Sequence, residues 1–197
     1  MKIGRPKKFD EDIALQAAMM YFWQNGYDNA SLSELLNVMQ IKKSSFYQTF
    51  ESKEKLFIRT LDLYVNGFIN QTKANLSEEN AKAILVDMLR NAFHEIETYG
   101  ELRGCLLMNS GSECYKKYPQ LSSLIASHFK GFHDLFTLII EKAKANGDIA
   151  NSSASSMIAS NYLSNLSGLV ALVKNGADES VITEVKSGIY QLIEIKE

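Results

Sequence analysis

The chain has 197 residues, of which 46% are hydrophobic and 22% are charged, and its formal net charge is -2. This size and composition are ordinary for a soluble globular protein with a substantial core. No run of about 18 apolar residues predicts a membrane span, and the basic-then-acidic N-terminus does not resemble a secretory signal. Two cysteines, Cys105 and Cys114, are too few for a disulfide scaffold, so we expect a cytoplasmic protein.

Three short helices are predicted in the first 52 residues. Apolar residues recur at helical spacing over Phe9–Asn25, and Gly26 stands where a C-terminal cap belongs. Ser31 and Glu34 have the spacing of a capping box and open the second helix. A third short helix is predicted over Lys42–Phe50. Two helices of about two turns joined by a short turn predict a helix-turn-helix.

Longer helices are predicted after residue 52. We expect them at Lys53–Lys73, Asn80–Tyr99, Leu106–Lys116 and Pro119–Ala145, then from a cap at Ser152 or Ser153 to Lys174, and from a cap at Asp178 to Ile195. No segment alternates with a period of two, so the predicted fold class is all-α. We divide the chain into an N-terminal arm with a helix-turn-helix domain, residues 1–52, and a second helical domain, residues 53–197.

Four segments together resemble the TetR family of bacterial regulators. They are AAMMYFWQNGY at 17–27, SLSELL at 31–36, IKKSSFY at 41–47 and FESKEKLF at 50–57. Two positions depart from the family pattern, because Gln40 stands where the family usually has Gly and Lys42 where it usually has Ser or Thr. The resemblance implies about nine helices. It also implies that the first three bind DNA and that residues 53–197 dimerise and bind an effector.

The outward side of the third helix carries the residues that we expect to contact DNA. A short helix fits the major groove, which is roughly 12 Å wide, where Gln can pair with adenine and Lys with guanine. The family resemblance assigns backbone contacts to Tyr47 and Lys53. A solvated polar face is the alternative interpretation. The candidate residues are Ser31, Lys42, Lys43, Ser44, Ser45, Tyr47, Gln48 and Lys53.

The N-terminal arm is a separate candidate. The segment GRPKK at 4–8 resembles the core of an AT-hook, in which an extended Arg enters a narrow A·T-rich minor groove. We expect Arg5, Lys7 and Lys8 to contact DNA in this way. The alternative is a disordered terminus that only adds solubility.

A homodimer on a palindromic double-stranded DNA operator is expected, because one domain contacts too few base pairs for genomic specificity. The last two helices are rich in small and apolar residues that permit close helix approach. Alternatively, these faces only close the core of the monomer. The interface candidates are Met157, Tyr162, Leu166, Leu169, Val185, Ile189 and Leu192.

Aromatic and methionine side chains in the middle helices are candidates for lining the pocket of an unknown small-molecule effector. Stripes of this kind also form ordinary core, which is the alternative. The candidates are Phe68, Met88, Phe93, Met108, Phe129, Phe132, Phe136 and Tyr162.

The segment RGCLLMN at 103–109 resembles TetR relatives that respond to electrophiles or oxidants. Arg103 and a helix N-terminus could lower the pKa of the Cys105 thiol and favour thiolate. A plain buried cysteine is the alternative.

No enzyme is expected, because the chain has no Gly-x-Ser-x-Gly, phosphate loop or dinucleotide fingerprint. We also expect no metal or other cofactor, since His128 and His133 would point about 140° apart on a helix. The predicted function is a TetR-like repressor that leaves its operator on a small-molecule, electrophile or oxidant signal. An architectural or adaptor protein without ligand control is the alternative.

Overall fold

The computed structural model describes residues 9–77, 79–99 and 103–195, without the side chains of 92–99. The described residues form helices and no strands, which confirms the all-α prediction. In chain order, the nine helices of the described residues are α1 (Glu11–Asn29), α2 (Leu32–Val38), α3 (Lys43–Phe50), α4 (Lys53–Asn75), α5 (Ala81–Tyr99), α6 (Leu106–Cys114), α7 (Pro119–Ala145), α8 (Ser155–Lys174) and α9 (Glu179–Leu192).

Helix α1 is interrupted at Gly26, although its bounds are given as one helix. Asp10 caps the helix by accepting hydrogen bonds from the backbone N–H groups of Asp12 and Ile13 at 2.9 and 3.1 Å. Gly26 has φ 78° and ψ 172°, so the helix stops there and one further helical turn follows. The glycine therefore ends the first segment, as its position in the sequence predicts.

The predicted cap of α8 is wrong. The helix begins at Ser155, and its N-cap residue, Ala154, has no side chain that could cap it. Ser153 is used otherwise, because its backbone N–H donates to Asn151 Oδ1 at 3.0 Å in a tight turn before the helix. Asp178 does occupy the N-cap position of α9, but its side chain accepts no capping hydrogen bond.

One hydrophobic core runs through the described chain. At the N-terminal end, α1, α3 and α4 join through buried aromatic rings, and Phe22 meets Phe57 edge-on with centroids 4.8 Å apart. Helix α7 packs against α4, α5, α6 and α8 and so lies at the centre of the helices that follow α3. Helix α6 contacts α1, α4 and α7, so it links the first helix to the longer helices that follow α3.

Helix α8 is long and apolar enough, by length and composition alone, to cross a membrane. The absence of a run of about 18 apolar residues had predicted no membrane span. A single helix of this kind is weak evidence, because the core helix of a soluble protein passes the same test. In this fold α8 packs along α7 and α9, and 22% of its apolar window is buried.

Candidate nucleic-acid interface

Helix α3 is held by one face and exposed on the other. The rings of Phe46 and Phe50 are 0% and 1% exposed, and they anchor the helix in the core. Tyr47, between them in sequence, is 48% exposed. Ser45 is half-buried, and the other candidates on or beside α3 are exposed, namely Lys42, Lys43, Ser44 and Gln48.

The turn before α3 keeps a left-handed residue although it lacks glycine. Gln40 has φ 55°. Its N–H donates to the carbonyl of Asn37 at 3.1 Å, and the N–H of Ile41 donates to the carbonyl of Leu36 at 3.1 Å. This pair of hydrogen bonds is a Schellman motif, so the departure at Gln40 leaves the turn intact. The departure at Lys42 does leave α3 without a side-chain cap.

The capping box at the start of α2 is confirmed. The N–H of Glu34 donates to Ser31 Oγ at 3.2 Å, and the N–H of Ser31 donates to Glu34 Oε2 at 3.1 Å. Hydrogen bonds from Ser31 hold the pKa of Glu34 below its usual value. The exposed N-terminus of α2 therefore already carries a carboxylate, and a phosphate there would meet this negative charge.

Lys53 lies at the start of α4, but its ammonium is directed at the end of α1. It lies 4.6 Å from the ring centroid of Tyr27 and 3.4 Å from the carbonyl oxygen of Asp28. Partial burial lowers the pKa of Lys53. A phosphate contact by Lys53 would require its side chain to leave this ring.

The end of α1 is held by three side chains from the junction of α6 and α7. Glu113 accepts hydrogen bonds from the backbone N–H groups of Tyr27 at 2.8 Å and Asp28 at 2.6 Å. The Asp28 carboxylate pairs with Lys117 and accepts a hydrogen bond from the Tyr118 hydroxyl at 2.5 Å. Hydrogen bonds from these two side chains lower the pKa of Asp28. We call Glu113, Lys117 and Tyr118 the α1 clasp.

A cleft of about 550 Å³ lies beside the clasp, and we call it the α1–α6 cleft. It opens between the last turns of α1 and one side of α6, with the end of α8 at its edge. Its lining is part aromatic and part polar, and consists of Phe22, Trp23, Gln24, Asn25, Gly26, Leu106, Asn109, Ser110, Ser112, Glu113 and Lys174.

Comparisons with known proteins agree with this architecture. The family model described as bacterial regulatory proteins of the tetR family matches residues 14–60. The model described as a tetracyclin repressor-like C-terminal domain matches residues 81–189. The chain belongs to the TetR family. This result confirms the resemblance drawn from the sequence of the helix-turn-helix.

Among TetR relatives, the chain is 36% identical to the HTH-type transcriptional repressor ComR of Escherichia coli K12 over 135 residues. That match covers 66% of this chain and 61% of ComR, so it spans less than two thirds of the relative. The uncharacterized HTH-type transcriptional regulator YezE of Bacillus subtilis is 26% identical over 151 residues, covering 75% of this chain and 76% of YezE.

Solved structures share the TetR fold with this chain. The reduced form of E. coli NemR aligns with a TM-score of 0.78 at 18% identity, covering 92% of this chain and 96% of NemR. A cysteine mutant of the regulator CifR, solved with a 26-base-pair operator DNA, aligns with a TM-score of 0.74 at 24% identity. This alignment covers 98% of this chain and 100% of CifR.

The expectation that the environment of Cys105 favours thiolate is wrong. Cys105 occupies the N-cap position of α6, but burial raises the pKa of its thiol and outweighs the hydrogen bonds that oppose this shift. The guanidinium of Arg103 lies 4.8 Å from the ring centroid of Trp23. The Tyr64 hydroxyl lies 3.7 Å from the Cys105 sulfur.

Among the described side chains, the pocket candidates do not line the α1–α6 cleft, and several belong to the core. Phe132, Phe136 and Tyr162 are buried, and the Tyr162 hydroxyl donates to the Leu85 carbonyl at 2.6 Å. Phe68, Met88, Met108 and Phe129 are half-buried, and the side chain of Phe93 lies outside the described residues. The buried members pack as ordinary core, the alternative that the sequence left open.

The interface candidates on α8 and α9 separate into two groups. Tyr162, Leu169 and Ile189 are at most 1% exposed within one protomer, so they pack in its own core and are not available to a second subunit. Met157 is 51% exposed, and the half-buried remainder is Leu166, Val185 and Leu192.

Arg5, Lys7 and Lys8 lie outside the described residues. Among the described residues, no group of three or more His, Cys, Asp or Glu side chains could hold a metal ion. The α1 clasp was missed, because its partners are 85–90 residues apart in sequence and no local pattern links them.

Proposed function

We propose that this TetR-family protein is a transcriptional repressor that binds double-stranded operator DNA through α3. The observation that carries the proposal is the geometry of α3. Two buried rings, Phe46 and Phe50, fix the helix, while Lys43, Tyr47 and Gln48 extend from its exposed side. Basic, amide and phenol groups on a rigid helix are suited to base edges and phosphates in a major groove.

Relatives support this proposal. ComR, BdcR and NemR of E. coli are named as repressors, and CifR was solved in complex with its operator DNA. The same comparison favours a regulator without enzymatic activity that works in the cytoplasm. Ser44, Lys42 and Ser45 would complete the DNA-facing set of α3, and Arg5, Lys7 and Lys8 would add minor-groove contacts from the arm.

The active form would be a homodimer on a palindrome. Two recognition helices separated by one turn of DNA, roughly 34–36 Å, would contact two half-sites. The exposed and half-buried side chains of α8 and α9 that remain as interface candidates are Met157, Leu166, Val185 and Leu192. An effector would lower operator affinity by favouring a conformer with a different spacing of the two helices. One relative by fold, FadR of B. subtilis, was solved with stearoyl-CoA.

Footprinting on the DNA around the gene of this protein tests the proposal. The expected result is one protected palindrome whose half-site centres are one helical turn apart. Uniform protection without a discrete site would contradict a repressor and support the architectural or adaptor alternative. A variant with Lys43, Tyr47 and Gln48 all changed to Ala should lose the protected site and keep its fold, because all three side chains are exposed.

A further inference from the structure

The α1–α6 cleft contains an exposed positive charge, the ammonium of Lys174. The ammonium of Lys174 donates to the carbonyl oxygen of Arg103 at 3.2 Å and to Asn109 Oδ1 at 3.3 Å. Both acceptors are neutral, and both distances are longer than is usual for N–H···O hydrogen bonds. Within the described part of the chain, Lys174 forms no ion pair with a carboxylate. The ammonium could therefore form a stronger, charge-assisted hydrogen bond with an anion.

The other charged group of the cleft is already satisfied. Glu113 accepts two backbone hydrogen bonds as part of the α1 clasp, and these offset its negative charge. The charge of the cleft that is open to a ligand is therefore the exposed ammonium of Lys174. An anionic ligand fits this balance better than a cationic one.

One wall of the cleft is the indole of Trp23, which is fixed in position and has the Arg103 guanidinium 4.8 Å from its ring centroid. The indole N–H of Trp23 donates to the carbonyl of Gly104 at 2.9 Å, and the ring of Tyr64 meets the indole edge-on with centroids 5.1 Å apart. Leu106 continues this wall from α6. A rigid apolar surface beside a cation suits an organic anion rather than an inorganic one. The volume of about 550 Å³ lies in the range of small-molecule sites.

We propose that the α1–α6 cleft binds small organic carboxylates, with the carboxylate on Lys174 and the apolar part on Trp23. The occupant would lie against α1 of the helix-turn-helix domain and against α6 beside Glu113. It would therefore bear directly on the α1 clasp. The occupant would be an effector if its contact with the clasp changed DNA binding. Only this role as an effector rests on the proposed DNA-binding function.

The only tryptophan of the chain is Trp23, so its fluorescence reports on the cleft in the full-length protein. Benzoate is the probe, and benzamide is its neutral counterpart of the same shape. The expected result is a saturable fluorescence change with benzoate, with a dissociation constant on the order of 1 mM. Lys174→Met should weaken binding roughly ten-fold or more, because the charge-assisted hydrogen bond is lost.

Three variants complete the experiment. Lys174→Arg should retain binding because the positive charge stays. Lys73→Met removes an exposed lysine near the end of α4 and should bind benzoate as the wild type does. If Lys174→Met does not fold by circular dichroism, Lys174→Gln takes its place. The glutamine side chain is uncharged, yet its amide can still donate a hydrogen bond to the carbonyl oxygen of Arg103.

Several results would overturn the proposal. They are no saturation with benzoate up to about 20 mM, equal binding of benzamide, or unchanged binding after Lys174 loses its charge. The assay contains no DNA. A failure of benzoate to bind therefore says nothing against operator binding. Likewise, a failure to bind an operator would not contradict benzoate binding in the cleft.

Discussion

The carboxylate of Glu113 fills the space that a side chain at position 26 would need. A Cβ atom built on Gly26 would lie 3.0 Å from Glu113 Oε2 and 3.1 Å from Oε1. The glycine also has φ 78°, which other residues adopt with strain. Gly26 thus serves two purposes, because it turns the chain at the end of α1 and admits the side chain that caps the turn after it.

Gly26→Ala should therefore lower the free energy of unfolding by about 1–3 kcal/mol, through backbone strain and displacement of Glu113. Chemical denaturation measures this loss. Gly67→Ala is the matched control, since a Cβ there meets nothing within 4 Å. It lies inside α4 and should raise stability by up to about 1 kcal/mol. Equal stability of the two alanine variants would refute the role of Gly26.

Glu113→Gln should also destabilise the protein, by about 1–3 kcal/mol. The amide keeps one acceptor oxygen, but its NH₂ group faces a backbone N–H that loses its partner. Glu141→Gln on the exposed side of α7 is the control, with an expected change below about 0.5 kcal/mol. Glu113→Gln should in addition increase hydrogen exchange at the amides of Tyr27 and Asp28. Unchanged exchange at both amides would show that the carboxylate does not hold them.

The Asp28–Lys117 pair gives the clasp a dependence on pH. The pKa of Asp28 is lowered, so its contribution to stability is complete above the ordinary Asp pKa of about 3.9. That contribution is lost as the pH falls through the lower folded pKa. The pKa of Lys117 is raised, chiefly by its hydrogen bond to Asp28. Its contribution is complete below the ordinary Lys pKa of about 10.4 and is lost as the pH rises through the folded pKa.

Asp28→Asn tests this dependence. The difference in unfolding free energy between the wild type and Asp28→Asn should be largest between the ordinary pKa values of Asp and Lys. It should shrink as the pH falls toward 2. Asp178→Asn, at the start of α9 where the side chain makes no capping hydrogen bond, should give a small difference. A difference between the wild type and the Asp28→Asn variant that stays constant from pH 7 to pH 2 would contradict the ion pair.

The cysteines should react slowly at neutral pH. Burial raises the pKa of Cys114 to about 11 and also raises that of Cys105, so both are thiols at pH 7. Alkylation rates of the single variants Cys105→Ser and Cys114→Ser should rise about ten-fold per pH unit above pH 7. The denatured chain, with ordinary thiols, is the control. A rate for Cys105 that levels off below pH 7 would restore the sequence-based expectation of a reactive thiolate.

Much of the fold could be predicted from local patterns. Helices α3, α4 and α7 begin within one residue of where the sequence predicts, and Pro119 starts α7, although α4 continues two residues past its predicted end, to Asn75. The cap of α8 could not be predicted, because Ser153 has the right side chain but its backbone is already used by a turn with Asn151. Residue propensity indicates which residues can cap a helix, whereas tertiary packing decides which of them do so.

The candidate site also has a part that local sequence patterns predict and a part that they do not. The exposed face of α3 follows from its sequence, since Phe46 and Phe50 fix which side is buried. The clasp and the cleft depend on contacts between α1 and residues about 85 positions later, which no spacing rule reveals. For the same reason Tyr162 looked like an interface or pocket residue, although its hydroxyl is satisfied inside the core by Leu85.

The affinity of α3 variants for the footprinted operator, measured at one fixed salt concentration, tests the central claim most directly. Tyr47→Phe should weaken binding to any sequence roughly five- to ten-fold, because one phosphate contact is lost. Gln48→Ala should reduce discrimination at one base pair of each half-site by about 1–3 kcal/mol. Tyr115→Phe, at a tyrosine 69% exposed outside the helix-turn-helix, should bind as the wild type does. Wild-type affinity and specificity in both α3 variants would contradict α3 as the DNA-reading helix.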